Sequence, residues 1–280
     1  MKQFTAVYRI TIMCKALCLS RSGYYRFLNR APSSKEKRRR YLESHIVTYF
    51  ERFKARYGAP RLTIALKQNA IKCSLNTVAK VLSERGLRAK NGRNFRYSRF
   101  SYATLNVAEN VLNRQFVAAS PNEKWVTDIT YIRCKGKWFY LATVMDLFSR
   151  AIVGWSLDTQ MTESLIMNAL TMAIERREVS AVLIIHSDRG VQYRALKYQG
   201  LISKIGATAS MSRRSNCWDN AVMESFYSRL KVELVFYEKY QSLEEVKASI
   251  FEYIEIFYNR VRLHSALGYL SPMEYESRYA

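Results

Sequence analysis

From Lys124 onward the residues follow an order that few folds accommodate: three β-rich runs, a helix, a strand, a helix, a short strand, then two long helices. KWVTDITYIR, WFYLATVMDLF and RAIVGWSLD are the three runs, separated by turn signals at Lys135-Gly136-Lys137 and Ser149-Arg150. MTESLIMNALTMAIERR is amphipathic, with Glu163 near its start and Arg176-Arg177 at its end, as the helix dipole favours. VLIIHSD reads as a strand, ALKYQGLISKIG as a helix and ATASM as a strand; DNAVMESFYSRLKVELVF and SLEEVKASIFEYIEIFYNR read as helices. A meander followed by strand–helix–strand sets the fourth and fifth strands parallel to the first. The expected class is therefore α/β.

Upstream the grammar is different. Residues 1–120 hold 25 Lys and Arg against 5 Asp and Glu, whereas residues 121–280 hold 20 against 18. A merely soluble basic surface predicts no such segregation, and a polyanion binder does, because Lys and Arg release counterions condensed on phosphates. Four stretches follow: a basic helical segment at 1–40, a helix-turn-helix-like region at 41–90, a basic linker at 91–120 and the α/β domain at 121–280. In the first, CKALCLSRSGYYRFLNR is two short helices around a hydroxyl-rich break, and APSSKEKRRR reads as a charged connector. In the second, Tyr57-Gly58-Ala59-Pro60 ends one helix and Arg61–Gln68 forms the next. Asn76 is the expected cap of a third, with Val78, Val81 and Leu82 inward and Lys80, Arg85 and Arg88 elsewhere. Such a helix suits a DNA major groove; a small bundle used only for docking is the alternative. In RAKNGRNFRYSRF, Arg93 and Arg96 interleave with Phe95, Tyr97 and Phe100, the composition of a segment that tracks DNA or of a plain tether.

Five cysteines, at 14, 18, 73, 134 and 217, lack metal-site spacing and argue for a reducing compartment over a disulfide framework. Arg9 and Lys15 interrupt any leader-like apolar stretch, and no run has the length of a membrane span. A cytoplasmic, nucleoid-associated protein with no membrane partner is expected.

An aspartate at the mouth of a buried strand is costly unless positive charge meets it. Asp188 after VLIIHS sits so, Asp128 in VTDITY sits among β residues, and the strand order makes their strands neighbours. A helix alongside can bring in Glu224. Three converging carboxylates suit a hard divalent cation, Mg²⁺ or alternatively Mn²⁺. Each has a plainer reading: a hydrogen-bonded strand residue, a turn former, a surface residue in a first helical turn. Asp146 is expected to cap a turn and Asp219 to cap a helix, so neither joins the set. Lys231, two helical turns after Glu224, either touches substrate phosphate or is a solvated lysine. Arg189, Arg213, Arg214 and Asn216 lie in polar loops that grip DNA or simply move in solvent. Trp125 and Trp218 are read as packing residues, and His186 as a tuner of the site or a buried, hydrogen-bonded residue.

Several long motifs, WVTDITYI, VMDLFSRAIVGW, HSDRGVQY, SRRSNCWDNAVMESFYSRLK and FYNRVRLHSALGYLSP, resemble the OrfB transposases of the insertion sequence three family. The 35 residues between Asp188 and Glu224 are the spacing of that family's second and third acidic residues. The resemblance is close over 121–275 and looser over 41–90. It implies an RNase H-like, retroviral-integrase-type catalytic core behind an all-α helix-turn-helix-like region, with Asp128, Asp188 and Glu224 as a Mg²⁺-binding catalytic triad. It implies cleavage of a DNA strand at the element's terminal inverted repeats and transfer of the freed 3′-hydroxyl to target DNA. It also implies an OrfA partner or fusion, and a homodimer or higher oligomer on DNA. A non-catalytic DNA-binding regulator, and a nuclease on the same fold, are the competing readings.

Overall fold

The computed structural model describes residues 1–90, 107–179, 182–214 and 216–280. They form two compact units, Met1–Arg88 and Ala89–Ala280. Among the described residues no helix is long and apolar enough to cross a membrane.

The first unit is helical. A short turn at Lys2–Phe4 precedes α1 (Ile10–Ala16) and α2 (Arg21–Leu28); Ser20 in the hydroxyl-rich break caps α2 by accepting from the Gly23 amide at 3.0 Å. The segment expected as a charged connector is instead the start of α3 (Ser34–Arg52). Ser33 caps it, its Lys, Arg and Glu are good helix formers, and Arg40 pairs with Glu36 one turn away. α4 (Ala59–Gln68) begins with Pro60 in its first turn, where proline's missing amide costs nothing. α5 (Leu75–Glu84) is capped by Ser74, two residues before the expected Asn76, with the Ser74 hydroxyl accepting from the Thr77 amide. Leu42, Ile46, Phe50, Leu62, Leu66, Val78, Val81 and Leu82 form the bundle core.

In the second unit β1 (Lys124–Cys134), β2 (Lys137–Asp146) and β3 (Ile152–Asp158) form the antiparallel meander. Lys135 and Gly136, with φ of 45° and 80°, make the two-residue β1–β2 turn whose left-handed backbone matches strand twist. α6 (Glu163–Arg176), β4 (Ile184–Ser187), α7 (Leu196–Lys204), β5 (Thr208–Met211) and α8 (Ala221–Glu233) follow. α9 (Leu243–Phe251) widens into a π-helical stretch at Glu252–Tyr258, and α10 (Pro272–Tyr279) ends the chain. The sheet order is β3-β2-β1-β4-β5, with β1, β4 and β5 mutually parallel, the RNase H-like arrangement expected from the order of the elements.

The sheet packs through Trp125, Val144, Val153 and Ile185 onto Leu165, Ala169 and Ala173 of α6. The closest approach is at Gly154 of β3. A Cβ there would lie 2.8 Å from the Ala173 amide nitrogen, 2.9 Å from its Cβ, and closer still to the Ala169 carbonyl. Gly154→Ala is accordingly expected to destabilise the fold by about 1–3 kcal/mol in urea unfolding, as overpacked cores do. Gly200→Ala, in α7 with nothing within 4 Å, is expected to be neutral or stabilising by up to about 1 kcal/mol.

Candidate active site

The parallel β1–β4 ladder pairs Lys124 with Ile184, Trp125 with Ile185 and Val126 with His186. Continued two residues, that register brings Asp128 level with Asp188, and the two carboxylates act on each other. Burial pushes the Asp128 carboxyl well above its ordinary value, the charge of Asp188 adds to this, and a 2.8 Å hydrogen bond from the Ile129 amide opposes it. Asp188, open to solvent on one side and crowded by protein on the others, is also raised, mainly by burial; the Gly190 amide, donating to Oδ1 at 2.8 Å, and Arg194 pull the other way. A Cβ on Gly190 would sit 2.9 Å from that oxygen. Asp188 is thus a turn former as well as half of a like-charge pair.

Glu224 stands in the first turn of α8, half-buried, its carboxyl raised by burial, and its charge acts on Asp128. The helix is pinned to the sheet one turn later by Tyr227. That buried hydroxyl donates to the Asp128 carbonyl at 2.5 Å and lies 2.8 Å from Thr143 Oγ1. Lys231 is no solvated lysine: it is 8% exposed, with Nζ 4.4 Å over the Tyr131 ring, and burial lowers its pKa while Asp128's charge opposes that shift. Below the pair, Thr127 Oγ1 meets the buried Tyr193 hydroxyl at 3.2 Å. The donor chemistry fits a divalent cation, since two crowded carboxylates favour one and Glu224 supplies a third oxygen donor. Among the described residues, however, no three acidic, His or Cys side chains already close into a ligand set.

The loop before α8 corrects two expectations. Asp219 caps no helix: it is wholly covered by the groups it binds. Its carboxylate accepts from Arg213 Nε and Nη2 at 2.9 and 2.8 Å, from the Arg213 amide at 2.9 Å, from Arg114 Nε at 2.7 Å and from Asn110 Nδ2 at 2.9 Å. The arginine hydrogen bonds hold it well below the usual carboxylate range. Trp218, expected to pack, is 67% exposed, while Trp125 is fully buried as expected. Arg213 is tied to Asp219, and Asn216 Oδ1 accepts from Arg114 at 3.0 Å. Arg189 donates to the Ser212 carbonyl at 2.7 Å, and Arg214 is exposed. Arg88 is exposed in the coil beyond α5, while Arg93 and Arg96 lie outside the described residues. His186 is fully buried between Ser210 (2.8 Å) and Ser212 (3.1 Å), and burial brings its imidazole down to about 4. Asp146 accepts from the Asn122 and Phe148 amides and serves its turn as expected.

Sequence reasoning did not find Tyr227, Arg114 or the role of the FYNRVRLH motif. Tyr227 had a signal, its i+3 spacing from Glu224, whereas Arg114 lies 105 residues from Asp219 and had none. Asn259 bonds both backbone groups of Ile152 at 2.9 Å, completing the start of β3. Arg262, 2% exposed, clamps Glu233 at the end of α8 at 2.6 and 2.9 Å and reaches His264 at 3.1 Å, while Tyr253 donates to Glu233 at 2.9 Å.

Residues 118–217 match the family model of the integrase core domain, 224–279 a second integrase core model, and 36–95 an HTH-like domain. Transposase InsF for insertion sequence IS3A of Escherichia coli (strain K12) is 42% identical over 275 residues, covering 98% of this chain and 96% of its own. The insertion element IS600 uncharacterized 31 kDa protein of Shigella sonnei is 39% identical over 267 residues, covering 95% and 98%. Among solved structures, the HTLV-2 integrase catalytic core domain in complex with magnesium (trimeric form) aligns with a TM-score of 0.44 at 16% identity, covering 56% of this chain and 97% of that one. A chain of the simian T-cell lymphotropic virus intasome in complex with PP2A regulatory subunit B56 gamma aligns with a TM-score of 0.48 at 15% identity, covering 79% and 70%.

The Asp128–Asp188 pair and Asp219 have opposite effects on stability. Asp128 and Asp188 are raised above the ordinary 3.8, so whatever stability they give is present below that value and is lost as pH rises through their folded values. At pH 7 without metal, Asp188→Asn is therefore expected to raise the melting temperature, by no more than about 2 °C because the side chain is open to solvent. Asp219 is lowered, so its contribution is present at neutral pH and is lost in acid. Asp219→Asn is expected to cost about 2–3 kcal/mol at pH 7. Calorimetry of both variants across pH checks the signs.

Proposed function

Because the chain belongs to the IS3 family of insertion-sequence transposases, we propose that Asp128, Asp188 and Glu224 are its catalytic residues, working on the terminal inverted repeats of its element and on target DNA. The observation that carries this is the Asp128–Asp188 pair: two like charges set side by side where the end of β4 meets the middle of β1, with Glu224 carried alongside on α8. The three carboxylates would hold Mg²⁺, or Mn²⁺ in its place. When bound, such an ion lowers the pKa of attacking water and stabilises charge on the leaving oxygen.

The remaining work falls to side chains. Asp128 and Asp188, held by the Ile129 and Gly190 amides, keep fixed orientations toward the reacting phosphate. Lys231, set over the Tyr131 ring and favoured in its charged form by Asp128, offers its ammonium to a phosphate oxygen. Arg189, Arg214 and Asn216 border the site and grip the DNA backbone, with Arg213 holding the loop through Asp219. Cleavage forms a P–O bond from water and breaks the bond to a 3′-oxygen, which leaves as hydroxyl. Transfer repeats the exchange with that hydroxyl as nucleophile and a target 3′-oxygen as leaving group. The helix-turn-helix-like region, with Arg88, Arg93 and Arg96 near its end, binds DNA without reacting with it. Pairing two element ends calls for at least a homodimer, OrfA is the expected partner, and the site of action is the bacterial cytoplasm.

Glu224→Gln preserves shape and removes one ligand charge. Purified wild type is expected to join labelled element-end DNA to target in Mg²⁺, and the variant to lose about 100-fold or more while its DNA affinity, read by anisotropy, stays within about twofold. Joining that survives the substitution would remove Glu224 from the catalytic set. DNA binding by wild type with no joining, even with OrfA added, would favour the regulator reading.

A further inference from the structure

The β1–β2 hairpin carries an aromatic and basic surface that the proposed chemistry leaves unused. Tyr131 and Trp138 are each 46% exposed, in a hairpin whose other large side chains mostly face the core. The antiparallel register pairs Tyr131 with Tyr140 and Arg133 with Trp138, so these four side chains share one face of the ribbon. Tyr131 and Trp138 meet edge to face, centroids 5.1 Å apart and planes at 89°. Each ring also has a cation beside it: Arg133 lies 5.7 Å from the Trp138 centroid and Lys231 4.4 Å from that of Tyr131. Lys135 and Lys137 flank the turn, and no acidic residue occurs between Ile129 and Met145.

We propose that this face is a stacking platform for unpaired bases of the DNA strand that runs out of the carboxylate site. The proposal rests on the transposase reading, in which a cut DNA strand leaves the carboxylate site. Charge complementarity favours nucleic acid, since Arg133, Lys135, Lys137 and Lys231 surround the rings and the hairpin carries no carboxylate between Ile129 and Met145, Asp158 lying beyond Tyr140 on β3. The rings are already oriented by one another and by their cations, so stacking a base on them orders little that is not ordered beforehand. Position supports the same occupant. Lys231 relates the platform to the site, with its Nζ over the Tyr131 ring and its charge acting on Asp128. Tyr131 follows Asp128 by three strand residues, about 10 Å along β1 and on its other face, so a strand leaving the carboxylates reaches the platform around the edge of β1 beyond Val126, its last residue paired with β4. A cross-strand aromatic pair also steadies a hairpin, so the test must separate stacking from folding.

The experiment measures binding of the full chain to labelled oligo-deoxythymidine and to duplex of equal length, for wild type, Trp138→Ala and Trp138→Phe. Trp138→Ala is expected to weaken single-strand binding by about tenfold and to change duplex binding by less than about twofold. Trp138→Phe, which keeps a stacking face, is expected to restore most of the loss, with unchanged far-UV circular dichroism in both variants. Ultraviolet crosslinking of iodouracil-substituted oligonucleotide is expected to map to Trp138 or Tyr131. Equal single-strand affinity of wild type and Trp138→Ala, with crosslinks elsewhere, would overturn the platform and leave the transposase reading standing. Failure of wild type to bind either DNA would overturn both. Loss of self-association with DNA binding intact would assign the face to a second copy of the chain and overturn the proposal.

Discussion

Two aspartates held level by a parallel ladder repel each other, and much of the second unit keeps them in place. Left to itself the pair would separate or stay protonated, since each carboxyl is already displaced upward by burial and Asp128 further by its neighbour's charge. The β1–β4 register sets their level, and amide hydrogen bonds from Ile129 and Gly190 fix the side chains. Strain of this kind is tolerated where a cation relieves it.

The helix that brings the third carboxylate is fastened at three points. At its entry Asp219 gathers Arg213, Arg114 and Asn110; one turn past Glu224, Tyr227 reaches the Asp128 carbonyl; at its exit Arg262 and Tyr253 hold Glu233. Buried ion pairs are poor sources of net stability, because desolvation offsets most of their attraction. Their value here is positional. Three fixed points hold Glu224 and Lys231 to one rotation and one height against β1, which hydrophobic packing of α8 alone would leave freer to slide. The C-terminal motif thereby acquires a role: Asn259 closes the end of β3 and Arg262 neutralises Glu233, so these polar residues serve the architecture of the site without entering it.

The basic first unit is less bare than its composition suggests. Arg39 pairs with Glu84, Arg85 with Glu43 and Arg40 with Glu36, while Arg38 donates to the Lys72 carbonyl at 2.6 Å. Such exposed pairs add little stability. They do order a few of the cations and leave most of the excess for long-range attraction of a polyanion.

Strand and helix order, the parallel pairing of β1 with β4, the hairpin turn at Lys135-Gly136 and the elements carrying Asp128, Asp188 and Glu224 were all legible in the sequence. They depend on local periodicity, turn chemistry and connection rules that act over a few residues. The charged connector that proved to be helix and the misplaced cap at Asn76 show the limit of that reading at element ends, where one hydroxyl two positions away decides the boundary. What only the tertiary structure decided was which polar side chains meet. Asp219 with Arg114, Glu233 with Arg262, Tyr227 with the Asp128 carbonyl and Lys231 with Tyr131 are contacts between distant or unpatterned positions. The exposure of Trp218 and Trp138 belongs with them. Burial and pairing are properties of the packed chain, and the same tryptophan is core or surface according to what the fold sets against it.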